Sequence, residues 1–173
     1  MTHTLKKPGL LFFLLCFLFS GCGYHLVGTG NTLPSHLKTI FIPVFENSSS
    51  QPEIHRELTS AILQSFITDG RLKVEKKNDA DLVMAGNLSY YETRAASFSS
   101  QDLASEIIIE LQVEIEVTDQ VKNKLFMKKT LKTQWDYKST SEIANTESAR
   151  LEALEEAYKD LGNRLVSLII DQF

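Results

Sequence analysis

Cysteine, tryptophan and histidine are scarce in this chain of 173 residues, with two, one and four copies respectively. Cys16 lies inside an apolar N-terminal run that reads as removed from the finished protein, so Cys22 is left alone and no internal disulfide can form. His25, His36 and His55 are dispersed, without a metal-ligand pair at helical spacing, and read as surface or partner-facing side chains rather than a zinc site. No glycine-rich phosphate loop follows a strand: Gly28-Thr29-Gly30 lacks both the third glycine and the helix after it, and there is no Gly-x-Ser-x-Gly. Asp79 and Asp81 sit beside a lysine-rich turn and read as solvated turn residues. With no activated nucleophile either, neither a catalytic residue, a metal nor a cofactor is expected, and the chain does not read as an enzyme.

A long hydrophobic run is missing too. Leu10 to Phe19 is apolar and uncharged but too short to span a bilayer. Lys6 and Lys7 precede it and the small pair Ser20-Gly21 follows, which is the layout of a secretory signal peptide over residues 1–21. Ser20-Gly21-Cys22 resembles the lipobox of bacterial lipoproteins, with Phe19 where that pattern usually has leucine. The resemblance implies cleavage before Cys22 and acylation of its thiol. Residues 22–36 then form a lipidated tether and residues 37–173 a single α+β domain. Gly23 stands where aspartate would favour inner-membrane retention in enteric bacteria, so the expected location is the outer membrane, lipid-anchored on its periplasmic side. Losing Lys6 and Lys7 takes 18 basic against 22 acidic side chains to 16 against 22, a net charge of about −6. A balance this acidic argues against nucleic acid as a partner and against simple attraction to an anionic membrane.

The rest of the chain alternates between the two regular periods. Leu37 to Phe45 is β-branched and aromatic, and Pro43 within it suggests a sheet edge or a strand end. Ser50, with Glu53 three residues on and Pro52 between, reads as a helix N-cap. Ile54, Leu58, Ala61, Ile62 and Phe66 follow at helical spacing, and Asp69-Gly70 reads as the stop. Leu72–Val74 and Asp81–Glu92 read as a short and a long strand, the latter with Leu82, Met84, Leu88 and Tyr90 on one face and Gly86 among them. Arg94 to Gln101 reads as a small-residue loop.

Ile107 to Asp119 carries the clearest pattern, with Ile109, Leu111, Val113, Ile115 and Val117 facing one way and Glu110, Gln112, Glu114 and Glu116 the other. In Leu125–Tyr137, Leu125, Met127, Leu131, Trp135 and Tyr137 face one way and Lys128, Lys132, Gln134 and Asp136 the other. A three-residue turn would pair Glu114 with Lys128 and Glu110 with Lys132. A five-residue turn would pair Glu116 with Lys128 and Gln112 with Lys132. Leu151, Leu154, Tyr158, Leu161, Leu165 and Leu168 then mark a long helix, in which Gly162 implies a close packing partner. The expected fold is an α+β two-layer sandwich of order β-α-β-β-β-α, its two helices on one face of a mostly antiparallel sheet of about four strands.

Gly21-Cys22-Gly23-Tyr24-His25-Leu26-Val27-Gly28, Leu33-Pro34 and Ile40-Phe41-Ile42-Pro43-Val44-Phe45-Glu46-Asn47 carry a family resemblance through their order and spacing. Leu58-Thr59 to Asp69-Gly70-Arg71-Leu72, Ala80-Asp81-Leu82-Val83 with Gly86, and the acidic last helix extend it over nearly the whole mature chain. The sequence resembles the LptE family of lipopolysaccharide-assembly lipoproteins. That resemblance implies a domain that plugs and helps assemble a large outer-membrane β-barrel, LptD, and assists lipopolysaccharide delivery to the cell surface. It also implies lipid contact through basic residues at one end of the sheet, which here are Arg94 and Lys138, with Phe98, Trp135 or Tyr137 offering apolar surface. The loop around Arg94 is otherwise rich in Ser97, Ser99 and Ser100 and holds Asp102, so it is less basic than that role favours. The alternative is another periplasm-facing outer-membrane lipoprotein, serving as a scaffold or ligand-binding module of an envelope complex.

Overall fold

The alternation read between Ile107 and Val117 sets the centre of the fold, because a strand with one apolar parity must bury that face against something. The computed structural model describes residues 33–101 and 103–171. The expected signal peptide, Cys22 and most of the tether lie outside the described residues. In chain order the elements are β1 (Thr39–Phe41), β2 (Glu46–Asn47), α1 (Ile54–Asp69), β3 (Lys73–Val74), a 3-10 turn (Lys77–Asp79), β4 (Leu82–Phe98), β5 (Ala104–Asp119), β6 (Lys124–Lys138) and α2 (Ile143–Ile170).

These strands form one sheet in the order β3-β1-β4-β5-β6, with β2 also paired to β4. The fold is α+β, with two helices and a mostly antiparallel sheet as expected; the sheet has six strands rather than four. The additional strands are β2 and β3, each two residues long. Pro43 splits the expected first strand, since it has no N–H for a ladder, and the chain resumes pairing only at Glu46. The strand is not at an edge: β1 lies between β3 and β4, parallel to both.

On β5, Ile109, Leu111, Val113, Ile115 and Val117 are at most 1% exposed. Leu58, Ile62 and Phe66 of α1 and Leu161, Leu165 and Ile169 of α2 are fully buried in the same cluster. Each such side chain contributes on the order of 1.5–3 kcal/mol by leaving water. The two helices meet at Gly162, as its presence in a helix implies: a Cβ there would lie 2.3 Å from Ser65 Oγ and 3.3 Å from the Cα of Ile62. Gly70 ends α1 at φ 72°, its N–H bonding to the carbonyl of Phe66.

The start of α1 differs from expectation. Its N-cap is Glu53, at φ 68° and without a side-chain cap, not Ser50. Asn47 takes hold of the preceding turn instead: its Oδ1 accepts from the Ser49 N–H at 3.0 Å and its Nδ2 donates to the Gln51 carbonyl at 2.9 Å. Ser50 Oγ meanwhile donates to the Tyr91 carbonyl at 2.9 Å. Local side-chain bonds have competed with an earlier helix start.

Two bulges reassign faces. In β4 the register slips at Ser89, between Leu88 and Tyr90. Leu88 is buried with Leu82 and Met84, but Tyr90 turns to the open face and Tyr91 takes the inward position opposite Leu111. In β6 the slip falls at Phe126, so Leu125 is 56% exposed rather than buried beside Met127. The hairpin adopts the register with Glu116 opposite Lys128 and Gln112 opposite Lys132. Its turn is one residue shorter than five because the bulge takes the fifth. Lys128 pairs with Glu116 at 3.1 Å, and Lys132 reaches diagonally to Glu110 at 3.4 Å.

Gly86 answers to Phe45, which lies over it with 2% of its surface exposed. A Cβ at position 86 would fall 2.5 Å from three carbons of that ring. Gly86→Ala is therefore expected to destabilise the domain by about 1–3 kcal/mol in denaturant melts. Phe45→Leu in the same chain should recover part of that loss, and an unchanged midpoint in the single variant would contradict the packing.

Candidate functional site

The face of the sheet turned away from the helices is polar along its length and changes character at one end. Across its middle, Glu110, Gln112, Glu114 and Glu116 of β5 run beside Lys128 and Lys132 of β6, and Gln134 Nε2 donates to Glu110. The lysines here are neutralised by the pairs already described. Toward the β4–β5 turn, the register places Arg94, Ile108 and Asp136 in one row and Ser97, Glu106 and Lys138 in the next. Arg94 and Lys138 stand on the strands flanking β5, so their backbones are separated by roughly 10 Å across the sheet. Neither has an ion-pair partner among the described residues. Between them lies a shallow depression of about 280 Å3, lined by Ala96, Glu106, Ile108, Gln134, Trp135 and Asp136. Glu106 and Asp136 in that depression temper its positive charge.

Arg94 is not in a loop. β4 continues to Phe98 and β5 begins at Ala104, so the connection shrinks to residues 99–103. Thr93, Arg94 and Ala95 complete the ladder with Ile109, Ile108 and Ile107, and the extra residue Ala96 is taken up where the register shifts. Small side chains hide no apolar face, so the pattern shows no alternation there, yet the partner strand supplies the pairing that makes the segment a strand. Lys138 is the last residue of β6, close to where it was expected.

Of the aromatic residues expected beside these cations, Phe98 is 63% exposed at the tip. Tyr137 is buried on the helix side, and Trp135 shares its parity in β6 rather than that of Lys138. Sequence reading missed two apolar residues at this end: Leu103, 63% exposed in the turn, and Ile143, 87% exposed at the first position of α2. The signal was there in each case as a lone aliphatic in an otherwise polar connection. Tyr90 and Glu92 lie further along the open face, where the phenol donates to the carboxylate and is held above its ordinary pKa chiefly by that bond.

At the opposite end of the sheet the entering chain is tied down. His36 is not a free surface histidine: its Nε2 lies 2.9 Å from Asp119 Oδ2, and Asp119 Oδ1 accepts the Lys122 N–H at 2.9 Å. Asp81 is not a solvated turn residue either. Its Oδ2 accepts the N–H groups of Lys38 and Thr39 at 2.8 and 3.0 Å and the Thr39 hydroxyl at 3.0 Å. Burial alone would raise both carboxyls, but the bonds from His36 and Lys122 to Asp119, and from Lys38 and Thr39 to Asp81, leave both below the usual aspartate range. Among the described residues there is no cluster of His, Cys, Asp or Glu able to hold a metal, and no helix long and apolar enough to cross a membrane.

Two helices on one side of a sheet whose other side is charged, with cations unpaired among the described residues and exposed apolar side chains at one tip, define an α+β domain with an open polar face. The lipopolysaccharide-assembly model, LptE, matches residues 37–169, and the chain belongs to that family. No curated protein matches it. Similar solved structures include lipoprotein B from Nitrosomonas europaea, with 17% identity over 83% of this chain and 88% of that one at a TM-score of 0.57. The rare lipoprotein B from Shewanella oneidensis has 19% identity, coverages of 72% and 92%, and a TM-score of 0.51. A protein from Xanthomonas campestris is 13% identical over 84% and 90% of the two chains, at a TM-score of 0.61. At these identities the likeness is one of fold.

The two depressed carboxyls carry a pH dependence. A folded-state pKa below the unfolded value gives stability that is present above about pH 4 and lost as pH falls through the folded pKa. Asp119→Asn and Asp81→Asn should lower stability at pH 7 and flatten its loss on acidification. Acid titrations of stability that stay parallel to the parent's would contradict this.

Proposed function

We propose that the chain acts as a lipopolysaccharide-assembly lipoprotein of the outer membrane. Anchored through Cys22 on the periplasmic side, it would plug and help assemble the LptD β-barrel, with the tip at Arg94 and Lys138 contacting lipopolysaccharide. The observation that carries this reading is the tip itself. Two cations without ion pairs among the described residues stand in adjacent rows of the open face, at the same end as exposed Phe98, Leu103 and Ile143. A phosphorylated, acylated glycolipid presents the matching chemistry, anionic oxygens for the guanidinium and ammonium and hydrocarbon for the apolar side chains. The charged open face suits the polar interior of a barrel, where a paired Glu/Lys surface meets polar groups and water. This role is non-catalytic. Acyl chains on Cys22 contribute about 0.8 kcal/mol per buried CH2, so several chains hold firmly where one holds marginally. With the domain seated in a barrel, the anchor serves targeting more than retention.

Arg94→Glu combined with Lys138→Glu should weaken lipopolysaccharide binding about ten-fold or more, since each charge-assisted hydrogen bond contributes roughly 1.5–3 kcal/mol. The melting temperature should stay unchanged, and undiminished binding would remove both residues as contacts. Photo-crosslinkers at Arg94, Phe98 and Lys138 in intact cells should capture an outer-membrane β-barrel; capture of soluble periplasmic proteins alone would favour the scaffold role. Cys22→Ala, exported in soluble form, should retain barrel association, and complete loss would show that the anchor does more than target.

A further inference from the structure

The two edges of the sheet are unlike. One is β3, only two residues long, which leaves little backbone for another chain to pair with. The other is β6, fifteen residues long, with β5 as its one strand neighbour among the described residues. Arg164 of α2 shows which parity of β6 faces outward: its Nη1 donates to the Lys132 carbonyl at 2.7 Å, so Lys132 turns its backbone away from β5. Ser139, of the opposite parity, sends its N–H to the Ser105 carbonyl at 3.1 Å, toward β5. Thr130, Gln134 and Asp136 share the parity of Lys132, so their backbone groups point outward with no strand beside them among the described residues.

An open groove of about 500 Å3 runs beside this edge on the helix side, lined by Leu131, Asn163, Arg164, Ser167, Leu168 and Asp171. Its floor is aliphatic. The strand's charge is one-sided, with five lysines against the single acid Asp136. Two copies pairing through β6 would bring these lysines together, which disfavours self-association. An incoming strand bearing acids meets the opposite situation. Lys128 and Lys132 already bond Glu116 and Glu110 on one side, and an ammonium has donors left for an acid on the other.

We propose that the outer edge of β6 is a strand-addition site for an extended segment of a partner protein. That segment carries acids on the parity continuing the open face, next to Lys128 and Lys132. On its other parity it carries apolar side chains, seated in the groove over Leu131 and Leu168. Its entry displaces Arg164 from the Lys132 carbonyl, and Asp160, 3.3 Å from the guanidinium, keeps that group partnered. The inference uses neither the tip residues nor the lipid, so it stands or falls separately from the function proposed above.

The test uses the full mature chain, labelled for amide exchange, and three synthetic peptides. One alternates Val with Glu, one alternates Val with Lys, and the third is the Val/Glu peptide N-methylated at every amide, so that neither of its edges keeps a donor. The Val/Glu peptide should slow exchange at Thr130, Gln134 and Asp136 by about ten-fold. The Val/Lys and N-methylated peptides should not. Unchanged exchange at high Val/Glu concentration, or equal binding by the N-methylated peptide, overturns the proposal. So does protection that rises with protein concentration alone, since that would make the occupant a second copy.

Discussion

Burial of one parity of β5 is the constraint on which the rest of the structure depends. Ile109 to Val117 lie against both helices and are flanked by long strands on either side, so a slip of one residue would exchange five buried aliphatics for a row of glutamates. That cost holds β4 and β6 in register, and through them the spacing of every side chain on the open face. Arg94 and Lys138 come to lie in neighbouring rows for this reason: each is placed by pairing with Ile108 or Glu106, residues whose own parity is decided further down the strand.

Much of this was legible because alternation and helical spacing report burial directly. The β5 pattern, the inward residues Leu82, Met84 and Leu88, the glycine stop of α1 and the close approach at Gly162 all follow from side chains that must be hidden or absent. The bulges at Ser89 and Phe126 were not legible. A bulge inserts one residue without changing composition, so a parity count run through it assigns Tyr90 and Leu125 to the wrong face. The strand character of Thr93–Ala95 was hidden for a different reason. Nothing there is buried, and only the facing isoleucines of β5 make those residues a strand.

The placement of two cations at one end of the sheet was legible, and that of the apolar side chains around them less so. Arg94 and Lys138 were singled out through the family resemblance, and the register sets them on one face. Trp135 and Tyr137 looked like their companions in sequence, but their parity in β6 is that of Leu131, so they turn toward the helices. Leu103 and Ile143 escaped notice because a lone aliphatic in a polar connection belongs to no period. Only the end of the sheet they share gives them significance: Lys138 pairs with Glu106 just after the β4–β5 turn, and α2 begins five residues beyond Lys138.

The two ends of the sheet differ in their bonding. At one end Asp119 and Asp81, at the end of β5 and just before β4, hold His36, Lys38 and Thr39 of the entering chain with hydrogen bonds of 2.8–3.0 Å. The tip with Arg94 and Lys138 lies in the rows of Ile108 and Glu106, eleven and thirteen residues along β5 from Asp119, which is roughly 35–45 Å away. If the chain is tethered as proposed, a pull on it would be taken up at Asp119 and Asp81, far from the tip, and carried by a sheet whose centre is fully packed. The charges between the ends follow the same pattern: the lysines of the middle are matched by the glutamates of β5, whereas the tip cations have no ion-pair partner among the described residues. A surface matched in its middle and unmatched at its tip can lie against a polar wall along its length while keeping its free charge for an anionic ligand at its end.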